Sequence, residues 1–159
     1  MAGFYTLTLN LHSWNRWAVL ISLICIATIS LYRWKKQLPF TKAYRIGQII
    51  TVSIAHLQLI IGLYLYFISP ISNYFLSHFS ESIHDRELRF FGMEHIFVML
   101  IAIGVITVGN SKVKKAETDE QKFKLLFIWF GIGLVLILSS IPWSFSPLIS
   151  RPLFRSFIF

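Results

Sequence analysis

The stretch "FGMEHIFVMLIAIGVITVG" (91–109) decides the fold. Apart from Glu94, His95 and Thr107, every residue in it is apolar or glycine. Its 19 residues make a helix of roughly 29 Å at the standard rise, which crosses about 30 Å of hydrocarbon. Unpaired backbone in lipid is costly, so a spanning segment of this kind is a helix. The alternating strands of about ten residues that a membrane barrel needs are absent.

Three further blocks read the same way, at about 12–32, 47–69 and 125–143. The composition agrees: 55% of the 159 residues are hydrophobic and 14% are charged, where soluble domains carry about a quarter. The mean hydropathy is +0.65. The expected fold is all-α: a single domain over 1–159, built as an antiparallel four-helix transmembrane bundle with short connections. The N-terminal segment has no positive n-region and no small-residue cleavage site, so the first block reads as a retained helix rather than a signal peptide.

The net charge of +8 raises the question of nucleic acid. The basic residues answer it. Arg33, Lys35, Lys36, Lys42 and Arg45 fall in 33–45, and Lys112, Lys114, Lys115, Lys122 and Lys124 in 110–124. Two such loops are the signature of the cytoplasmic side of a membrane protein, and no nucleic-acid motif accompanies them. The positive-inside rule then puts the loop 70–90, the tail 144–159 and both termini outside. Trp14, Trp17, Tyr64, Tyr66 and Trp143 suit the outer aromatic belt. The loop 70–90 has the pattern of a short amphipathic helix, and the tail is expected to lie along the outer surface or against a partner. Cys25, the one cysteine, is expected to be a buried, inert thiol. Gly62, Gly104, Gly131 and Gly133 are candidates for close helix approach.

Ionisable groups inside a membrane are expensive and mark candidate sites. Here they are His12, Arg16, His56, Glu94 and His95. His12 and Arg16, four apart, share one helix face; either they reach outer head groups or they belong to a site. His56 lies near mid-membrane, where it either hydrogen-bonds across the bundle or lines a ligand or proton path. Adjacent helical residues point about 100° apart. The expected division is His95 toward the bundle axis, facing His12, and Glu94 toward Arg16.

His12 and His95 sit at similar depth on the first and third helices, which are diagonal in such a bundle. Two imidazoles so placed can ligate a flat macrocycle, as in bis-histidine haem b sites. Arg16 and Glu94 would then support the ligand, and His56 would line its inner edge. Copper is the alternative, bound by imidazole and the thioether of Met93. In the outer loop, His78, Glu81 and His84 are spaced for a weaker surface metal site.

Four segments together carry a resemblance: "LHSWNRW" (11–17), "AHLQLIIGLYLYF" (55–67), "RFFGMEHIFVMLIAIGVITVGNSKVKKA" (89–116) and "LILSSIPW" (136–143). They resemble small bacterial four-span proteins labelled "cytochrome B", and more distantly copper-resistance membrane proteins and b561-type cytochromes. The resemblance implies an inner-membrane bundle with one haem, with His12, Arg16, His56, Arg89, Glu94 and His95 at motif positions. The expected role is electron transfer between quinol and an outer-side acceptor, or in or beside a respiratory assembly. The other readings are an accessory subunit without catalysis of its own, copper or haem handling in oxidase assembly, and a proton-coupled transporter built on His56. The chain is expected to be an electron carrier or accessory subunit rather than an independent catalyst.

Overall fold

The structure, a computed structural model, describes residues 2–145, 149 and 151–153. Its helices are α1 (Ala2–Lys35), α2 (Lys42–Ile68), α3 (Pro70–Ser77), α4 (Phe79–Ser82), α5 (Arg86–Arg89), a π-helical turn (Phe90–Glu94), α6 (His95–Lys115) and α7 (Asp119–Ser139). No strand occurs among the described residues. α5, the π turn and α6 form one run, and with α1, α2 and α7 they give four helices long and apolar enough to cross a membrane. The chain is an all-helical, multi-pass membrane protein.

α1 packs on α2 and α7, and α6 packs on α7 and α2, which leaves α1 and α6 on the diagonal. Leu23, Ala102, Ile106, Phe123, Leu126 and Phe130 are wholly buried between the helices. The opposite faces carry Ile21, Ile60, Phe67, Phe97 and Val135, all more than half exposed. Lipid covers such faces; water would not tolerate them as one continuous band. Cys25 is on an exposed face too, so it meets lipid rather than the core.

Two glycines bring α6 and α7 together. A Cβ on Gly133 would collide with Ile106, and one on Gly109 with the Trp129 side chain. Gly104 and Gly131, expected to do the same, have open space beside them. The span boundaries also move. α1 starts at Ala2 rather than at about 12, α2 at Lys42, the third span at Arg86, and α7 at Asp119. Hydropathy marks only the part of a helix in hydrocarbon, whereas the backbone ladder continues into the interface until a cap or breaker stops it. Asp85 supplies such a cap by accepting from the Leu88 amide at 2.8 Å, and Thr118 caps α7 through the Gln121 amide.

α1 ends in a Schellman arrangement. The Leu38 amide donates to the Arg33 carbonyl and the Gln37 amide to the Trp34 carbonyl, with Gln37 at φ 50° where glycine is usual. α7 ends at Ser139, short of 143, because Pro142 has no N–H for the Leu138 carbonyl. The Trp143 indole N–H takes that acceptor instead, at 3.0 Å.

The loop 70–90 is helical, as its pattern suggested. Ser69 accepts from the Ser72 amide with Pro70 in the first turn of α3, and Phe75 of α3 packs on Gly92, where a Cβ would collide with its ring. Of the tail 144–159, residues 146–148, 150 and 154–159 lie outside the described part. The rest folds onto its own bundle: the Leu153 carbonyl accepts from Arg16 and Trp17.

Candidate functional site

The site begins with the π turn at Phe90–Glu94. The His95 amide reaches back five residues to the Phe90 carbonyl, and the Tyr66 hydroxyl donates to the Gly92 carbonyl at 2.8 Å. Single π turns inside helices recur at functional sites. This one divides Glu94 from His95. Glu94 turns outward and pairs with Arg89 at 2.6 Å. The expected Glu94–Arg16 pair is not formed: in an α-helix, residues five apart point about 140° from each other, but a π turn stacks them, so Arg89 reaches Glu94 first.

His95 turns into the bundle. Its Nδ1 lies 2.8 Å from the Ser140 carbonyl oxygen. A carbonyl only accepts, so Nδ1 carries the hydrogen and the neutral ring keeps its lone pair on Nε2. That carbonyl is available because it is at the C-terminal end of α7, where no helical N–H follows to claim it. Metal-ligating histidines are commonly oriented in this way, the second nitrogen donating to a backbone carbonyl.

His12 faces His95 across the diagonal. The ring centroids are 6.4 Å apart and the planes cross at 75°. The His12 ring lies against Gly62, where an added Cβ would stand 3.0 Å from its Cε1. Its backbone carbonyl accepts from Gln58, whose own side-chain oxygen accepts from Asn15, each at 2.9 Å. This α1–α2 ladder holds the turn that carries His12. His12 Nδ1 is buried without a hydrogen-bond partner among the described residues.

The two rings border a cavity of about 240 Å³. Leu59, Met99, Ile103 and Ile137 make apolar walls, and Arg16, Arg151 and Pro152 also line it. Arg16 Nη2 donates to the Leu153 carbonyl at 2.5 Å, and its guanidinium lies 5.4 Å from the Trp17 ring centre. Arg151 pairs with Glu87 and covers the Phe91 ring at 5.0 Å.

The remaining expected residues do not join. His56 does not border the cavity. Its Nε2 is 2.9 Å from Thr107 Oγ1. That hydroxyl donates to the Ile103 carbonyl, so it accepts from His56. The mid-membrane histidine is thus satisfied between α2 and α6. Met93 is 39% exposed and does not border the cavity; the thioether there belongs to Met99. His78 stacks on Tyr74 at 4.4 Å. No group of three or more His, Cys, Asp or Glu side chains placed to hold a metal ion occurs among the described residues, so the His78, Glu81 and His84 site does not form.

The donor pair does suit a single metal centre. Two nitrogen–metal bonds of about 2.0–2.1 Å each, plus the ring radius at both ends, come to roughly 6 Å, against 6.4 Å between the centroids. An edge-to-face ring contact has a similar spacing; the fixed His95 tautomer, which leaves its Nε2 without a hydrogen, is what points to a ligand. The volume is the tighter test, since 240 Å³ is below the roughly 300–1,000 Å³ of pockets for larger ligands. A bare ion fits the cavity as it stands. A macrocycle on the same donors would need more room than this cavity provides.

Comparison with known proteins finds no matching family model, no matching curated protein and no matching solved structure.

Ser140, Gly62, Tyr66 and Met99 are the site residues that sequence reasoning missed. Pro142 was the available signal for Ser140, since a proline shortly after a helix leaves carbonyls without donors.

Proposed function

We propose that this chain is a b-type haem-binding membrane protein that carries electrons, in or beside a respiratory assembly. One observation carries the reading: two imidazoles from diagonal helices lie 6.4 Å apart, centre to centre, and both border one largely apolar cavity, one of them with its Nδ1 hydrogen held by the Ser140 carbonyl. Haem, when bound, supplies one-electron redox chemistry. His12 and His95 hold the iron. Ser140 fixes which nitrogen His95 presents. Arg16 and Arg151 give the outer side of the cavity positive charge suited to a ligand's carboxylates. The apolar walls keep water from the centre. Glu94 and His56, engaged by Arg89 and Thr107, act in packing rather than at the ligand.

The loop charges favour an orientation with both termini outside a bacterial inner membrane. The site then opens toward the outer side, where a quinol head group or an outer acceptor would exchange electrons.

The cavity volume favours a second reading, copper held by His12, His95 and Met99, a ligand set suited to Cu(I). One experiment separates the two: a pyridine haemochrome assay with metal analysis on protein expressed with ample haem. One haem per chain, lost in His12→Ala and His95→Ala, is expected. A protein without a Soret band overturns the haem reading, and stoichiometric copper in its place establishes the second.

A further inference from the structure

The opposite end of the bundle holds a second cleft, of about 500 Å³. It opens between the start of α2, the end of α6 and the start of α7. Lys42, Arg45, Lys114 and Lys122 line it, and no acidic residue is among the lining residues described. Lys122 is engaged by Asp119 at 3.0 Å; the other Asp119 oxygen accepts from the Phe40 amide. Lys42, Arg45 and Lys114 have no ion-pair partner among the described residues. Three cations converge on one cavity with nothing to neutralise them.

The positive-inside rule accounts for the number of basic residues at this end, not for their convergence. Lys35, Lys36 and Lys115 serve that rule equally well without lining the cleft. Two further features identify what the cleft takes. Arg45 offers a planar fork and the lysines point charges, the combination that suits phosphate. Ile49 lines the cleft, and Ile46, Ile49 and Ile50 are each about half exposed on α2. This apolar strip continues from the cleft along the spanning helix, where acyl chains lie. Basic pockets between transmembrane helices at the interface are built for anionic headgroups.

We propose that this cleft binds an anionic phospholipid, its phosphate held by Lys42, Arg45 and Lys114 and its chains lying along Ile46, Ile49 and Ile50. The site is independent of the His12–His95 cavity.

The test uses the full chain purified in mild detergent and titrated with phosphatidylglycerol, phosphatidylcholine or inorganic phosphate, followed by native mass spectrometry and thermal unfolding. Phosphatidylglycerol is expected to bind about tenfold or more tighter than phosphatidylcholine and to raise the unfolding temperature. The triple variant Lys42→Gln, Arg45→Gln, Lys114→Gln is expected to lose that preference. The triple variant Lys35→Gln, Lys36→Gln, Lys115→Gln removes the same charge from the same end and is expected to keep it. Equal loss in both variants, or no lipid preference in the unaltered chain, overturns the proposal. A shift with inorganic phosphate as large as that with phosphatidylglycerol overturns the lipid as the source of the anion.

Discussion

His95 donates through Nδ1 to the carbonyl oxygen of Ser140, 2.8 Å away. The bond crosses from α6 to the end of α7 and decides which nitrogen His95 presents to the cavity. Its acceptor exists because α7 stops before Pro142. Replacing that proline tests the connection. Pro142→Ala restores an amide that the Leu138 carbonyl can accept and lets α7 continue toward Ser140. His95 then competes with the helix for its acceptor. Nitrogen-15 spectra of the unaltered protein are expected to show the Nδ1–H tautomer at His95, and the variant a mixture. Metal or haem affinity is expected to fall about 10–100-fold, the usual effect of losing a partner that orients a ligand. An unchanged tautomer and affinity would show that Ser140 has no part in orienting the ring.

Arg89 and Glu94 form an ion pair at 2.6 Å, with side chains about one-third and two-fifths exposed. That exposure screens the pair, so its coupling is expected to be at most about 1 kcal/mol. A double-mutant cycle with Arg89→Gln and Glu94→Gln measures it by unfolding in detergent. A parallel cycle with Arg16→Gln and Glu94→Gln is expected to give no coupling. Coupling in the second cycle equal to that in the first would restore the pair that helical geometry alone suggests.

These two relationships show what could and could not be read from residue order. The four spans were legible because the membrane demands about 20 apolar residues in a row, and nothing else in the chain resembles that. The facing of His12 and His95 was legible because depth and diagonal placement follow from the same counting. Glu94 went astray because one π turn changes the angular relation of residues five apart, and no single residue in "FFGME" announces it. His56 needed a partner at its depth, and only packing reveals that Thr107 supplies it. Cys25 is apolar enough for either face of α1, so its exposure depends on how the helix is rotated in the bundle, a matter of packing rather than hydropathy.

The α6–α7 contact separates glycines by function. Gly133→Ala and Gly109→Ala insert a methyl against Ile106 and Trp129. Each is expected to destabilise by about 1–3 kcal/mol, the usual result of overpacking. Gly104→Ala and Gly131→Ala meet open space and remove a flexible residue from a helix, so each is expected to be neutral or to stabilise by about 0.5–1 kcal/mol. Thermal unfolding of the four variants side by side checks the order. If Gly104→Ala proved as harmful as Gly133→Ala, the helix rotation described above would be wrong.

Gln37 adopts φ 50° at the end of α1, a region that costs a side chain about 1–2 kcal/mol. Gln37→Gly is expected to recover part of that and raise the unfolding temperature. Gln37→Val, with a branched β-carbon in the same place, is expected to lower it. Identical melting of all three proteins would mean that the turn does not constrain this residue.

Gly62 provides the most selective probe of the site, because it touches His12 and lies far from the α6–α7 seam. A Cβ there would come within 3.0 Å of His12 Cε1, closer than two carbons pack without displacement. The His12 ring must tilt, while its backbone remains held by Gln58 at 2.9 Å. Gly62→Ala is therefore expected to leave the bundle folded and its melting nearly unchanged, yet to weaken haem or copper retention by tenfold or more, comparable to losing an orienting partner. The absorption spectrum and metal content of the purified variant read this directly. Full retention of the ligand would show that His12 does not bind it and that its approach to His95 is only a contact between two rings.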